Sequence, residues 1–287
     1  MKKLASLFAA GLLSLAAIPA QAQELTGTLK KIADSGEIVV GHRESSVPFA
    51  YLDENQKPIG YSIDICMKIV EALGKTVGKE LNVRFVPVNP QTRIPLLANG
   101  TINLECGSTT NNLTRQQQVS YLPTTFITGT KLLVKKDAGI SSIDDMEGKT
   151  IALAQGTTNE RAIKAYIESK GMKVDILPVK DHAEGFLALE TDRVDAYSTD
   201  HILLFGLISK AKSPDDYTVV GDFLSFDPYA IMVPRNEADY ELEATKAVAA
   251  LFRSGEIEKI YSKWFDPLGV PLDSTLKTAF QIQALPE

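Results

Sequence analysis

Cysteine, histidine and tryptophan are scarce in this 287-residue chain, numbering two, three and one. The few His and Cys show no zinc-type ligand spacing, so a structural metal is not expected. No Ser/His/Asp or Cys/His set is apparent either, which argues against nucleophilic hydrolysis, and no cofactor is expected. There is no basic excess: 30 Lys+Arg stand against 36 Asp+Glu. An acidic balance argues against nucleic acid as a partner. Low-complexity tracts, Pro/Gly-rich linkers and short-period repeats are missing, and no stretch beyond the N-terminus is apolar enough to span a bilayer.

What is present begins with Met1-Lys-Lys3, an apolar run from Leu4 to Ile18, and Ala20-Gln-Ala22. This is the pattern of a secretory signal over residues 1–22. No Cys lies beside the cut before Gln23, so a lipid anchor is not expected. Export to a bacterial periplasm as a soluble monomer is the simplest reading. Removing residues 1–22 leaves 265 residues and, with Lys2 and Lys3 gone, moves the formal charge from −6 to −8. That length suits one large or two modest domains. An oxidising compartment permits a disulfide between Cys66 and Cys106; two buried thiols are the alternative.

The chain divides into two α/β sets. Gly36 to Gly41 reads as a buried parallel strand ending at Arg43, and Tyr61 to Leu73 as a helix with apolar residues at helical spacing. Leu81 to Val86 alternates as a strand, and Arg93 opens a helix that stops at Asn99-Gly100. Ile102 to Leu104 leads into Glu105-Cys-Gly-Ser-Thr-Thr-Asn-Asn-Leu-Thr-Arg115, a strand–turn–helix passage with a polar helix over Leu113 to Val119. Phe126 to Val134 is long for one edge strand and suits a crossing between lobes. The second set repeats the device: Thr150 to Ala154, the turn Gln155-Gly-Thr-Thr-Asn159, then a helix. Strands follow at Val174–Leu177, Arg193–Tyr197 and Tyr217–Gly221, and Asp222 to Val233 reads as a return crossing. Helices are expected over 239–254 and 256–264; the tail beyond Pro267 has no clear form. Lobe 1 thus takes residues 23–126 and 227–287, and lobe 2 takes 127–226.

In such folds ligands gather beyond the carboxyl ends of strands. Arg43, Arg93, Ser108, Thr110 and Arg115 in the first set, with Thr157, Thr158, His182 and Asp200 in the second, all sit at such places. Arg grips a carboxylate with two parallel hydrogen bonds, and helix N-termini favour anions. Plainer readings exist: a solvated charge for Arg43, a salt bridge for Arg93, a helix cap for Asp200. Together, three Arg, a His and several hydroxyls against one carboxylate describe a site for a small dianion carrying an amine. An α-amino dicarboxylate fits.

The segments Gly41-His-Arg-Glu-Ser-Ser-Val-Pro-Phe49, Arg93-Ile-Pro-Leu-Leu97-Ala-Asn-Gly100, Glu105-Cys-Gly-Ser-Thr-Thr-Asn-Asn112, Gly156-Thr-Thr158, Lys180-Asp-His182 and Lys263-Trp-Phe265 resemble the periplasmic glutamate/aspartate-binding proteins of ABC importers. The resemblance covers nearly all of the mature chain. It implies a two-lobed α/β fold of the type II periplasmic binding proteins, with the ligand in a cleft between lobes joined by two crossing segments. It also implies delivery of glutamate or aspartate to an inner-membrane ABC permease. By matching positions, Arg115 takes the α-carboxylate with Thr110 and the Gly156-Thr-Thr158 turn, and Asp200 takes the α-ammonium. Arg43, Arg93, Ser108 and His182 surround the side-chain carboxylate. A carboxylate neighbour would favour protonation of His182, so binding should weaken as that imidazole loses its proton. Two departures stand out. Pro90 replaces a small hydroxyl residue, and Tyr197-Ser-Thr199 is more polar than the family pattern. The rival readings are a dehydratase-like periplasmic enzyme on the same scaffold and a soluble sensor for a membrane receptor.

Overall fold

The computed structural model describes residues 24–286; the signal segment expected over 1–22 lies outside them. Two five-stranded mixed sheets organise the molecule. In the first, Asn82–Pro87, Glu37–His42 and Leu104–Cys106 run parallel, and Met232–Pro234 and Val119–Tyr121 complete the order. In the second, Asp175–Val179, Thr150–Ala154 and Ala196–Asp200 run parallel, followed by Thr130–Lys135 and Tyr217–Val220. The plan is the same in both: three parallel strands, then an antiparallel strand delivered by a crossing from the other sheet. Central strands such as Glu37–His42 are buried almost continuously, as expected where helices cover both faces.

The two crossings pair with each other. Phe126–Thr128 and Asp227–Tyr229 form an antiparallel ladder, with Thr128 opposite Asp227 and Phe126 opposite Tyr229. The single run expected over Phe126–Val134 is therefore two strands broken at Gly129, because its first half is bonded to the other crossing and its second half to the second sheet. An aromatic cluster sits at the root of this ladder. Phe49, Tyr61, Phe126, Tyr229 and Phe265 meet with ring centroids 4.9–6.3 Å apart. It ties the first crossing to the helices Tyr61–Thr76 and Glu256–Phe265.

Cys66, on the buried face of helix Tyr61–Thr76, is bonded to Cys106 at the end of strand Leu104–Cys106. The disulfide pins the strand from which the loop 107–112 departs. Several segments differ from the sequence reading. The helix expected over Leu113–Val119 is one turn, Leu113–Gln116, because Val119–Tyr121 is drawn into the first sheet by Met232–Pro234. The strand expected over 193–197 is Ala196–Asp200. The tail forms a helix, Ser274–Gln283, whose N-cap Asp273 accepts from the Leu276 amide at 2.9 Å.

Candidate functional site

Three loops of the first sheet and three of the second meet across the space between the lobes, and each is fixed by local chemistry. The 107–112 loop is held by Ser62, whose hydroxyl donates to the Gly107 carbonyl at 2.8 Å. It is zipped to the return crossing through Asn111 N to Pro228 O and Ala230 N to Thr109 O. Asn112 then caps the one-turn helix by accepting from the Arg115 amide, which starts the helix where Arg115 can turn inward. In the second lobe, Thr157 caps helix Thr158–Lys170 and Asp181 caps helix His182–Glu190. Both helix N-termini point at the same space.

That space is a small cavity with too little free room for more than about one water in the ligand-free form. All nine residues expected from the sequence line it, joined by Asn159 and Leu203. Contacts sort the lining into two groups. In one, Arg115 donates from Nη1 to the Thr110 carbonyl at 2.8 Å and from Nη2 across the cleft to the Gly156 carbonyl at 3.1 Å. The Thr110 and Thr158 hydroxyls meet at 3.2 Å, again across the cleft. Thr157 lines the wall, but its hydroxyl is spent: it donates to the Ala154 carbonyl and accepts from the Glu160 amide.

Asp200 belongs to the same group. Its side chain does not cap the helix His201–Ile208 that follows it. One carboxylate oxygen accepts from Asn159 Nδ2 at 3.0 Å and the other from the Tyr229 hydroxyl. Asn159 also donates to Thr130 at 2.7 Å, so the Asp200 carboxylate is aimed by a network rather than by its own helix. Burial, with Asp227 nearby, pushes its pKa up to about 7. The carboxyl is thus biased toward its neutral form until a cation arrives.

The second group gathers Arg43, Arg93, Ser108 and His182. Arg43 and Arg93 are almost wholly buried. Burial lowers the pKa of both, that of Arg93 to about 10, with Arg43 as a repelling neighbour. Both stay cationic at neutral pH. Behind them lies Glu105, buried, accepting from Thr109 at 3.0 Å; burial raises its pKa while Arg93 and Arg43 pull it down. Arg43 Nη2, Arg93 Nε and Ser108 Oγ are buried with no hydrogen-bond partner. His182 is buried too, its Nδ1 2.6 Å from the Tyr197 hydroxyl. Its pKa is lowered well below the usual imidazole value, first by burial and then by Arg43 and Arg93. In the site without ligand the loss of water and the two guanidiniums act in the same direction, against a protonated imidazole.

Sequence reasoning passed over Asn159, Glu105 and Tyr229 as working parts. Asn159 carried a signal, as the last residue of the Gly156-Thr-Thr-Asn159 turn. Tyr229 carried none, since its role depends on the pairing of the two crossings. Pro90 is not among the lining residues; its carbonyl faces Gly156 of the other lobe instead. The polar run at 197–199 is spent inside the protein, with Tyr197 on His182 and Ser198 on the Lys131 carbonyl.

Comparison with known proteins places this arrangement. The family model for bacterial extracellular solute-binding proteins, family 3, matches residues 38–267. An L-glutamate/L-aspartate-binding protein of Pseudomonas aeruginosa is 48% identical over 88% of this chain and 84% of its own length. A glutamate/aspartate import solute-binding protein of Salmonella typhimurium is 45% identical over 83% of this chain and 79% of its own. Among solved structures, an ancestral arginine-binding protein bound to glutamine matches with a TM-score of 0.72 at 29% identity, covering 80% of this chain and 98% of that one. An ancestral amino acid-binding protein, a precursor of cyclohexadienyl dehydratase, matches with a TM-score of 0.73 at 26% identity, over 83% and 100%. The fold is the two-lobed α/β periplasmic-binding-protein fold, and the chain belongs to the family 3 bacterial extracellular solute-binding proteins.

Proposed function

We propose that this protein is the glutamate/aspartate-binding component of an ABC import system. It captures one acidic L-amino acid between its lobes and delivers it to an inner-membrane permease. One observation carries the reading: Arg43 Nη2, Arg93 Nε and Ser108 Oγ are buried donors without partners at one side of a small cavity whose other side holds an ion-aiming network around Asp200. Leaving such donors unpaired costs about 1–3 kcal/mol each, more for charged groups. A distal carboxylate would satisfy them, Arg115 with the 156–158 turn would take the α-carboxylate, and Asp200 the ammonium. The 45–48% identity to glutamate/aspartate-binding proteins supports the same ligand class.

The lobes in this reading are residues 23–126 with 227–287 and residues 127–226, hinged where Phe126–Thr128 pairs with Asp227–Tyr229. The N-terminal pattern over 1–22 supports export to the periplasm, where the protein works as a monomer. A dehydratase needs a general acid beside its leaving group; an imidazole held neutral by two guanidiniums is poorly suited to that task. The test is calorimetric titration of the ligand-stripped mature protein with glutamate, aspartate, glutamine and asparagine. Heat from either acidic amino acid and little from the amides is expected. Binding of neither acid overturns the reading.

A further inference from the structure

The polar residue Tyr197 is buried against the site without lining the cavity. It lies on strand Ala196–Asp200, three residues before Asp200, and its ring rests against helix His182–Glu190 at Gly185. A Cβ at Gly185 would collide with that ring. The glycine thus allows the phenol to reach along the helix to its first residue, where the Tyr197 hydroxyl and His182 Nδ1 lie 2.6 Å apart. Such a separation is short for a hydrogen bond to nitrogen.

We propose that Tyr197 is a positioning residue: its hydroxyl donates to Nδ1, fixing His182 as the neutral tautomer with the hydrogen on Nε2, so that the ring offers the ligand an N–H donor rather than a cation. This deepens the proposed glutamate/aspartate site and rests on it.

Hydrogen-bond accounting decides the direction. If Nδ1 were the donor, the phenol's own proton would be left in the core, and a buried donor without an acceptor is costly. With the phenol donating, both groups are satisfied. The Thr199 hydroxyl, two residues along the strand, donates to Asn159 Oδ1 at 3.4 Å, and His182 Nδ1 is the group that stands within hydrogen-bond distance of the phenol to take its proton. A ring nitrogen that accepts one hydrogen bond leaves the other nitrogen protonated. The charged groups that bear on the ring agree. Arg43, just past strand Glu37–His42, and Arg93, at the start of helix Arg93–Ala98, both oppose an imidazolium. The two carboxylates at that end of its own helix are both engaged, Asp181 in capping the Glu184 amide and Glu184 in accepting from the Lys180 amide. Burial raises the Tyr197 pKa, so the phenol keeps its proton across the physiological range. Specificity follows: the positive charge facing the ligand's side chain comes from the two guanidiniums, and His182 contributes direction.

The experiment is nitrogen NMR of protein labelled in histidine, with glutamate bound, on wild type, Tyr197→Phe and His182→Gln. The last variant identifies the His182 signals among the three histidines. Calorimetry on the same samples reads the affinity. Wild type should show a single neutral ring, protonated at Nε2, from pH 6 to pH 8. Tyr197→Phe should show mixed tautomers or a titrating ring, with affinity reduced several-fold. An Nδ1-protonated ring or an imidazolium in the wild-type complex overturns the proposal, and so does an Nε2 tautomer that Tyr197→Phe leaves unchanged. Should wild type bind neither acidic amino acid, the functional reading fails instead. The tautomer is then read on the ligand-free protein at pH 8, where an unperturbed imidazole is already neutral: an Nε2-protonated ring that Tyr197→Phe disturbs supports the proposal, and an Nδ1-protonated or undisturbed ring overturns it.

Discussion

The first lobe brings charge to the cavity and the second brings direction. On the first sheet's side three guanidiniums, Arg43, Arg93 and Arg115, converge with Glu105 buried behind two of them. The second sheet's side supplies two helix N-termini, the hydroxyl of Thr158, a neutral imidazole and the aimed carboxylate of Asp200. Both halves use the same local device, a strand running into a capped helix. The device itself is therefore indifferent to electrostatics, and the side chains placed at the cap set the sign. Burial first, and then mutual repulsion, depress these cations: Arg43 adds to the lowering of Arg93, and Arg93 to that of Arg115, both falling to about 10. Closure of the lobes concentrates that repulsion, and an incoming dianion relieves it.

Removing the charge from either half is the most disruptive way to break this comparison. Arg115→Ala should abolish measurable binding by calorimetry or weaken it by roughly thirtyfold or more, since truncating one partner of a buried hydrogen-bonded charge pair costs about 2–5 kcal/mol or more. Asp200→Ala should do the same from the opposite side by taking away the partner for the ammonium. Intact binding in either variant removes that residue from the site.

A second difference lies in the covalent scaffold: the first lobe is stapled beneath its loop, and the second has no cysteine. Replacing Cys66 and Cys106 with Ser should destabilise the protein by about 2–4 kcal/mol for a closed loop of this length. Urea denaturation is the measurement, and the loss should fall on the first lobe's transition if the lobes unfold separately. Affinity at saturating stability should change less, because Ser62 and the return crossing also hold the 107–112 loop.

Closure itself can be tested away from the ligand. Gly206, on helix His201–Ile208, abuts the Val47 carbonyl of the other lobe so closely that a Cβ would collide with backbone. Overpacking of this kind costs about 1–3 kcal/mol, here levied on the closed form alone. Gly206→Ala should weaken glutamate or aspartate binding by roughly five- to a hundredfold on that range, and small-angle scattering should show a more open protein at a given ligand concentration. Unchanged affinity would show that the lobes close without this contact.

The parts of this comparison that were legible in the sequence are the ones made by short-range chemistry. Asn112, Thr157 and Asp181 cap helices within three residues of themselves, so the turns that carry Arg115, Thr158 and His182 can be read from spacing alone. What was not legible depends on which distant segments become neighbours. Asp200 could not be told from a helix cap, because Asn159 and Tyr229, which hold it, arrive from a turn 41 residues earlier and a crossing 29 residues later. The break at Gly129 follows from the pairing of 126–128 with 227–229, a contact between segments about a hundred residues apart. The same holds for the imidazole. The resemblance already grouped Arg43 and Arg93 with His182, whereas the full burial of the ring was visible only once the strands were in place.

The pH dependence sharpens the comparison with the smallest expected effect, and its sign separates the two accounts of His182. In the open form the imidazole is near water and its pKa approaches the unperturbed value of about 6.5. In the closed form its pKa is well below that. A base with a depressed pKa contributes fully above the open-state value, and the contribution is lost as pH falls below it, because a proton bound in the open form must leave on closure. Asp200 has the opposite tendency in the ligand-free closed form, where its pKa of about 7 means that deprotonation opposes closure. A bound ammonium cancels that effect by stabilising the carboxylate. Affinity should therefore be level from pH 7 to 8 and fall by about tenfold at one pH unit below 6.5. Calorimetry in buffers of different ionisation enthalpy should register proton release on binding at pH 6. Affinity that rises on acidification would restore the imidazolium, place a cation on the second lobe, and remove the division of labour between the two halves of the site.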